Sequence, residues 1–116
     1  MDMKDYLKIL NDETRSKIEP IISYIESKYP KASFDDNWGA KTKMPTYRYN
    51  GNYLAIGCMK RYITLHFSNY SAPKYIKDNY PYCKAHVGCV NFSYTRELPY
   101  QIIYKAIDET FKKDLS

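Results

Sequence analysis

Glycine is scarce in this chain and scattered. The four glycines stand at positions 39, 51, 57 and 88, so no glycine-rich loop is available to cradle a phosphate. No apolar run approaches the length needed to cross a bilayer, which excludes a transmembrane helix. The 18 lysines and arginines are spread along the chain with no run longer than two, and a solvated surface is the plainest reading of them. Three cysteines, an odd number, and no apolar signal segment after Met1 lead us to expect free thiols and a reducing, cytoplasmic setting.

What is present points to one domain over residues 1–116. Hydrophobic residues make up 44% of the chain, enough to bury a core. The formal charge of +5 permits an anionic partner. The 14 tyrosines suit the edge of a core, ring buried and hydroxyl wet, and could also serve as stacking platforms for bases or sugars.

The stretch from Met44 to Phe67 organises the chain. Asn50-Gly51 between alternating runs predicts a two-residue hairpin turn, since both residues tolerate positive φ. Lys60-Arg61 predicts a second turn. These registers pair Leu54 with Tyr47 and Phe67, Ile56 with Leu65, and Cys58 with Ile63, all on one face. The other face then carries Thr46, Arg48, Tyr53, Ala55, Gly57, Met59, Tyr62, Thr64 and His66. It reads as a mostly polar surface with small residues at its centre.

Elsewhere the pattern predicts a short helix within Asp2–Leu10. A second helix, capped by Asn11 or Asp12, runs to about Tyr29 on the stripe Ile18, Ile21, Ile22 and Ile25. Pro20 should kink or break it. Ala32 to Phe34 reads as a short edge strand, and Asp35 to Gly39 as a loop that tucks Trp38 against the body. Ser71 is the expected cap of a helix over 72–79. A loop from Tyr80 to Gly88 leads to a strand over 89–94, and Leu98-Pro99 opens a last helix to about Lys113. The fold class is α+β: a single antiparallel sheet of four or five strands, helices packed on one face. The expected core is Leu54, Ile56, Ile63, Leu65, Val90, Phe92, Ile103 and Ile107.

Several patterns bear on chemistry. Cys83, His86 and Cys89 read C-x-x-H-x-x-C, which can supply metal ligands, with His66 a conceivable fourth. Asp35 and Asp36 are carboxylate candidates. A Cys89–His66 pair is open to nucleophilic chemistry, but no orienting carboxylate or oxyanion hole accompanies it. The polar sheet face is the better candidate, with Arg48, Tyr53, Tyr62, His66, Cys89 and Asn91 around a floor of Ala55 and Gly57.

Short pieces in order, Lys43-Met44-Pro45-Thr46-Tyr47, Tyr49-Asn50-Gly51, Lys60 to Leu65, Gly88 to Phe92, and Leu98-Pro99 before a helix, resemble the YdhG-like family of bacterial proteins, a domain of unknown function. The resemblance covers most of the chain and is stronger after Lys43. It implies a small cytosolic α+β domain. One branch of that family is described as frataxin-like iron chaperones, so iron is the cofactor or cargo the resemblance implies. Many members have a histidine where this chain has Tyr62, which alters any site built on it. The expectation is a non-enzymatic binding protein that takes a small ligand or a protein partner on the open sheet face. The alternatives are an iron chaperone and, last, a nucleic-acid-binding protein. No membrane partner is expected.

Overall fold

The two hairpins form the middle of the sheet. A computed structural model describes residues 3–38 and 44–112, and residues 37 and 38 by their backbone alone. The readings that involve Gly39, Lys43, Lys113 and the Trp38 ring lie outside the described residues.

Helix α1 covers Met3–Lys8 and α2 Asp12–Lys28. Asn11 caps α2 as expected, its side chain accepting from the Thr14 amide at 2.8 Å. Arg15 ties the two helices together, donating to the Leu7 and Leu10 carbonyls at 2.8 and 2.7 Å. Leu7 is in the last turn of α1, where carbonyls lack the usual intrahelical partner, and Leu10 is in the link to α2. Pro20 does not divide α2, which is one helix of 17 residues. Packing of Ile18, Ile21, Ile22 and Ile25, all buried, outweighs the one hydrogen bond that proline removes.

Strands β1 (Ser33–Trp38), β2 (Met44–Tyr49), β3 (Asn52–Cys58) and β4 (Tyr62–Phe67) follow. Helix α3 (Ser71–Asn79), strands β5 (Lys84–His86) and β6 (Cys89–Ser93), and helix α4 (Tyr100–Lys112) complete the chain. The strands make one six-stranded antiparallel sheet in the order β1-β2-β3-β4-β6-β5. The one strand beyond the expected four or five, β5, forms one edge, and β1, longer than expected, forms the other. Asp35 to Trp38 is strand, where a loop was expected, because β1 pairs with β2 as far as Trp38↔Met44 despite an irregularity after Asp35. Lys84 to His86 is strand too, because Gly88 at φ 80° closes a tight turn back to Cys89; glycine adopts that conformation without steric cost. Ser71 is not the cap of α3 but its first residue. Tyr70 is the N-cap, without a side-chain cap bond, and Asn69 before it accepts from the Ser71 amide at 3.1 Å.

Both hairpin registers hold. Tyr47↔Leu54, Leu54↔Phe67, Ile56↔Leu65 and Cys58↔Ile63 are the observed partners. The Met59 amide donates to the Tyr62 carbonyl at 2.9 Å around Lys60-Arg61. All eight expected core residues are buried. They join buried residues from all four helices in one cluster on one side of the sheet. A carboxylate clasps α2 to α4 on the outside of that layer. Asp108 accepts from Tyr29 at 2.6 Å and from Tyr24 and Lys28 at 2.7 Å, and the Tyr24 and Tyr104 rings stack at 4.1 Å. Burial alone would raise the Asp108 pKa, but the hydrogen bonds from Lys28, Tyr29 and Tyr24 outweigh it and hold the carboxyl below its ordinary value.

Candidate functional site

The strand side chains that point away from the helices fall into cross-strand rows. One row reads His86, Cys89, His66, Ala55, Thr46, Asp35 from edge to edge. A second reads Lys84, Asn91, Thr64, Gly57. Tyr62 sits opposite Ser93, and Arg48 opposite Tyr53. Every ligand-binding residue named from sequence is therefore on this face, spread over β2, β3, β4 and β6.

Its centre is not the open floor of small residues expected. Thr46, Ala55 and Thr64 are buried at 0%, 0% and 3% exposure. A Cβ built on Gly57 would meet the Met44 sulfur at 2.6 Å, the Thr64 methyl at 2.7 Å and the Met59 methyl at 2.9 Å. Continuing the β2–β3 register by two residues from Thr46↔Ala55 sets Met44 against Gly57. A flexible thioether fills such a gap readily. The space above Gly57 is thus occupied by the chain itself, and the polar residues surround a sealed centre.

Arg48 is not a free cation. Its Nε donates to Asp35 Oδ2 at 2.6 Å, and its guanidinium lies 5.9 Å from the Tyr53 ring centroid. Asp35 was not foreseen as its partner, because a residue assigned to a loop offers no register. Asp35 is thereby paired with Arg48, and Asp36 enters the irregular part of the pairing. The C-x-x-H-x-x-C candidates separate as well. Cys83 is buried in the helix-side core with its thiol against the Tyr80 carbonyl at 3.2 Å, whereas His86 and Cys89 pair on the open side. Among the described residues no three His, Cys, Asp or Glu side chains form a group that could hold a metal.

Cys89 and His66 are direct cross-strand partners. Burial pushes the Cys89 thiol up, with a smaller opposing effect from the Thr64 hydroxyl, and burial pushes the His66 imidazole down. Both shifts favour the neutral forms. A nucleophilic pair needs the thiolate and the imidazolium, so this environment works against that chemistry.

The arrangement defines a class: an antiparallel sheet backed by helices on one side, with a polar face on the other. No family model and no curated protein matches the sequence. Among solved structures the chain is similar to a protein of the DUF1801 family, YdhG, from Bacillus subtilis. The TM-score is 0.73 at 16% identity, over 90% of this chain and 84% of that one. At that identity the likeness establishes the fold, which is the YdhG-like fold the sequence resemblance implied.

Proposed function

We propose that the protein is a non-enzymatic binding protein and that the helix-free face of the sheet is its recognition surface, for a small ligand or a partner. One observation carries this reading. All four helices are spent on the other face, while Arg48, Tyr53, Tyr62, His66, Cys89 and Asn91 share this one across four adjacent strands. Polar groups held in register on rigid strands make a precise presentation surface. The neutral state favoured for Cys89 and His66 supports binding over nucleophilic catalysis. The sealed centre at Gly57 favours recognition across the face over engulfment in a deep pocket.

The test is an amide-resolved NMR titration with a fragment library. The reading expects perturbations to concentrate at residues 46–48, 53–57, 62–66 and 89–91. Fragments that gather instead in the cleft of about 410 Å³ among α2, α3 and α4, lined by Tyr24, Tyr75, Tyr104 and Lys105, would overturn it. Iron(II) titration of the same sample checks the iron-carrier alternative, which predicts shifts near Asp35 and Asp36.

A further inference from the structure

The basic residues are spread along the chain, but the acidic ones are not. Between Asn37 and Arg96 there are nine lysines and arginines and one acidic residue, Asp78. The rest of the chain holds the other nine basic residues and twelve acidic ones. The first segment contains β2 to β6 and α3, and the second contains α1, α2, α4 and the part of β1 that holds Asp35 and Asp36. Outside α3, the strands and turns from Met44 to Arg96 carry five basic residues, Arg48, Lys60, Arg61, Lys84 and Arg96, and no acidic one, whereas in α1, α2 and α4 the two signs are equal in number. A molecule built this way attracts polyanions to its sheet side.

Within the cationic segment some charges are already spent. Arg48 is paired with Asp35 and Lys74 with Asp78, and Lys77 donates to the Pro81 and Cys83 carbonyls. Arg61, Lys84 and Arg96 are exposed, and among the described residues no carboxylate pairs with them. They gather at one end of the sheet, with Arg96 and Tyr82 at its β5–β6 edge. Arg61 is in the β3–β4 turn beside Tyr62, Tyr62 is opposite Ser93, and Lys84 is opposite Asn91. Arg96 stacks on the Tyr82 ring at 4.3 Å, two residues before β5 begins. Tyr62 and Tyr82 are 38% and 61% exposed in a chain that buries most of its large apolar side chains.

We propose that this end of the open face binds single-stranded nucleic acid, with bases stacking on Tyr62 and Tyr82 and phosphates meeting Arg61, Lys84 and Arg96. The proposal rests on the reading of the open face as the recognition surface and names its partner. Exposed aromatic planes set among cations are what an unpaired strand requires, because every base has a π face and every nucleotide a phosphate. A duplex hides its base faces and would gain nothing from the tyrosines. Asn91, half-exposed between Lys84 and Thr64, adds an amide that can hydrogen-bond a base edge.

Fluorescence anisotropy with labelled oligo(rU) and oligo(dT) of about 12 nucleotides tests the assignment. Salt is varied from roughly 20 to 200 mM, and affinity should fall steeply across that range. Tyr62→Ala/Tyr82→Ala should weaken binding about tenfold or more with the salt slope unchanged. Arg61→Ala/Arg96→Ala should weaken binding and reduce the slope by about 1.4. Lys28→Ala, on the helix side, should change neither, and circular dichroism melts confirm that each variant is folded. The ratio of oligo(rU) to oligo(dT) affinity assigns the strand as RNA or DNA. Absence of binding at the lowest salt overturns the proposal. So does binding that ignores the tyrosine substitutions, or equal affinity for a duplex of the same length. If oligonucleotides fail while fragments still perturb the open face, this proposal falls and the recognition surface stands. If neither touches that face, both fall.

Discussion

Arg48 and Asp35 form an ion pair at 2.6 Å between adjacent strands, on the polar side of the sheet. The pair converts what would be a free cation beside Tyr53 into a neutral unit at 41% and 27% side-chain exposure. Partly solvated pairs of this kind contribute about 1 kcal/mol or less. Arg48→Ala and Asp35→Ala should each lower stability by roughly that amount. The double variant should cost less than the sum of the two. A urea-denaturation double-mutant cycle measures the coupling, and strict additivity would show that the two charges do not interact in solution.

Gly57 should not accept a side chain. Gly57→Val places new atoms against the Met44 sulfur and the Thr64 methyl, both within 3 Å of the first added carbon. Overpacking of this kind costs about 1–3 kcal/mol. Trimming the neighbour in Gly57→Val/Met44→Ala should recover part of the loss. Thermal melts of the two variants decide the matter, and an unchanged melting temperature for Gly57→Val would mean that the face is open there.

Leu65 pairs with Ile56 and Val90 in the middle of the sheet at 0% exposure. Leu65→Ala should cost about 2–5 kcal/mol, through lost burial and the cavity left behind. Denaturant unfolding measures it.

His66 should make the fold acid-sensitive. Burial holds its imidazole below the ordinary value, so the unfolded chain binds that proton more tightly than the folded one. Its contribution to stability is complete above the ordinary imidazole range and is lost as pH falls through the lowered value. His66→Gln should therefore flatten the decline in stability between roughly pH 7 and pH 5. Melting temperatures across that range test it, and an unchanged slope would show that His66 titrates as it does in the unfolded chain.

These features were unequally visible in the sequence. The registers of β2, β3 and β4 were legible because Asn50-Gly51 and Lys60-Arg61 set pairings that agree on one apolar face. Strand β5 was not, because Lys84-Ala85-His86 carries no β-branched or aromatic residue and its signal lies in the Val87-Gly88 turn. Strand β1 was misread beyond Phe34 because two aspartates at a sheet edge look like a loop. The sealing of Gly57 depended on the reach of Met44, a long-range fact that alternation alone does not carry. The lack of carboxylates in the strands and turns from Met44 to Arg96 was in the sequence throughout. It shows in where acidic residues are missing, not in where basic ones cluster.

The β2–β3 turn does more than reverse the chain. Asn50, at φ 52°, donates its side-chain amide to the Phe111 carbonyl at 3.0 Å, in the last turn of α4. The tip of the hairpin thus works as an axial gauge for a helix 61 residues further on. A helix advances about 1.5 Å and turns about 100° per residue. One residue inserted into either element would carry the carbonyl out of reach, so the two lengths are coupled. Asn50→Gly keeps the turn and releases the gauge. Amide hydrogen exchange in the last turn of α4 should then accelerate, while exchange in the hairpin stays as it was.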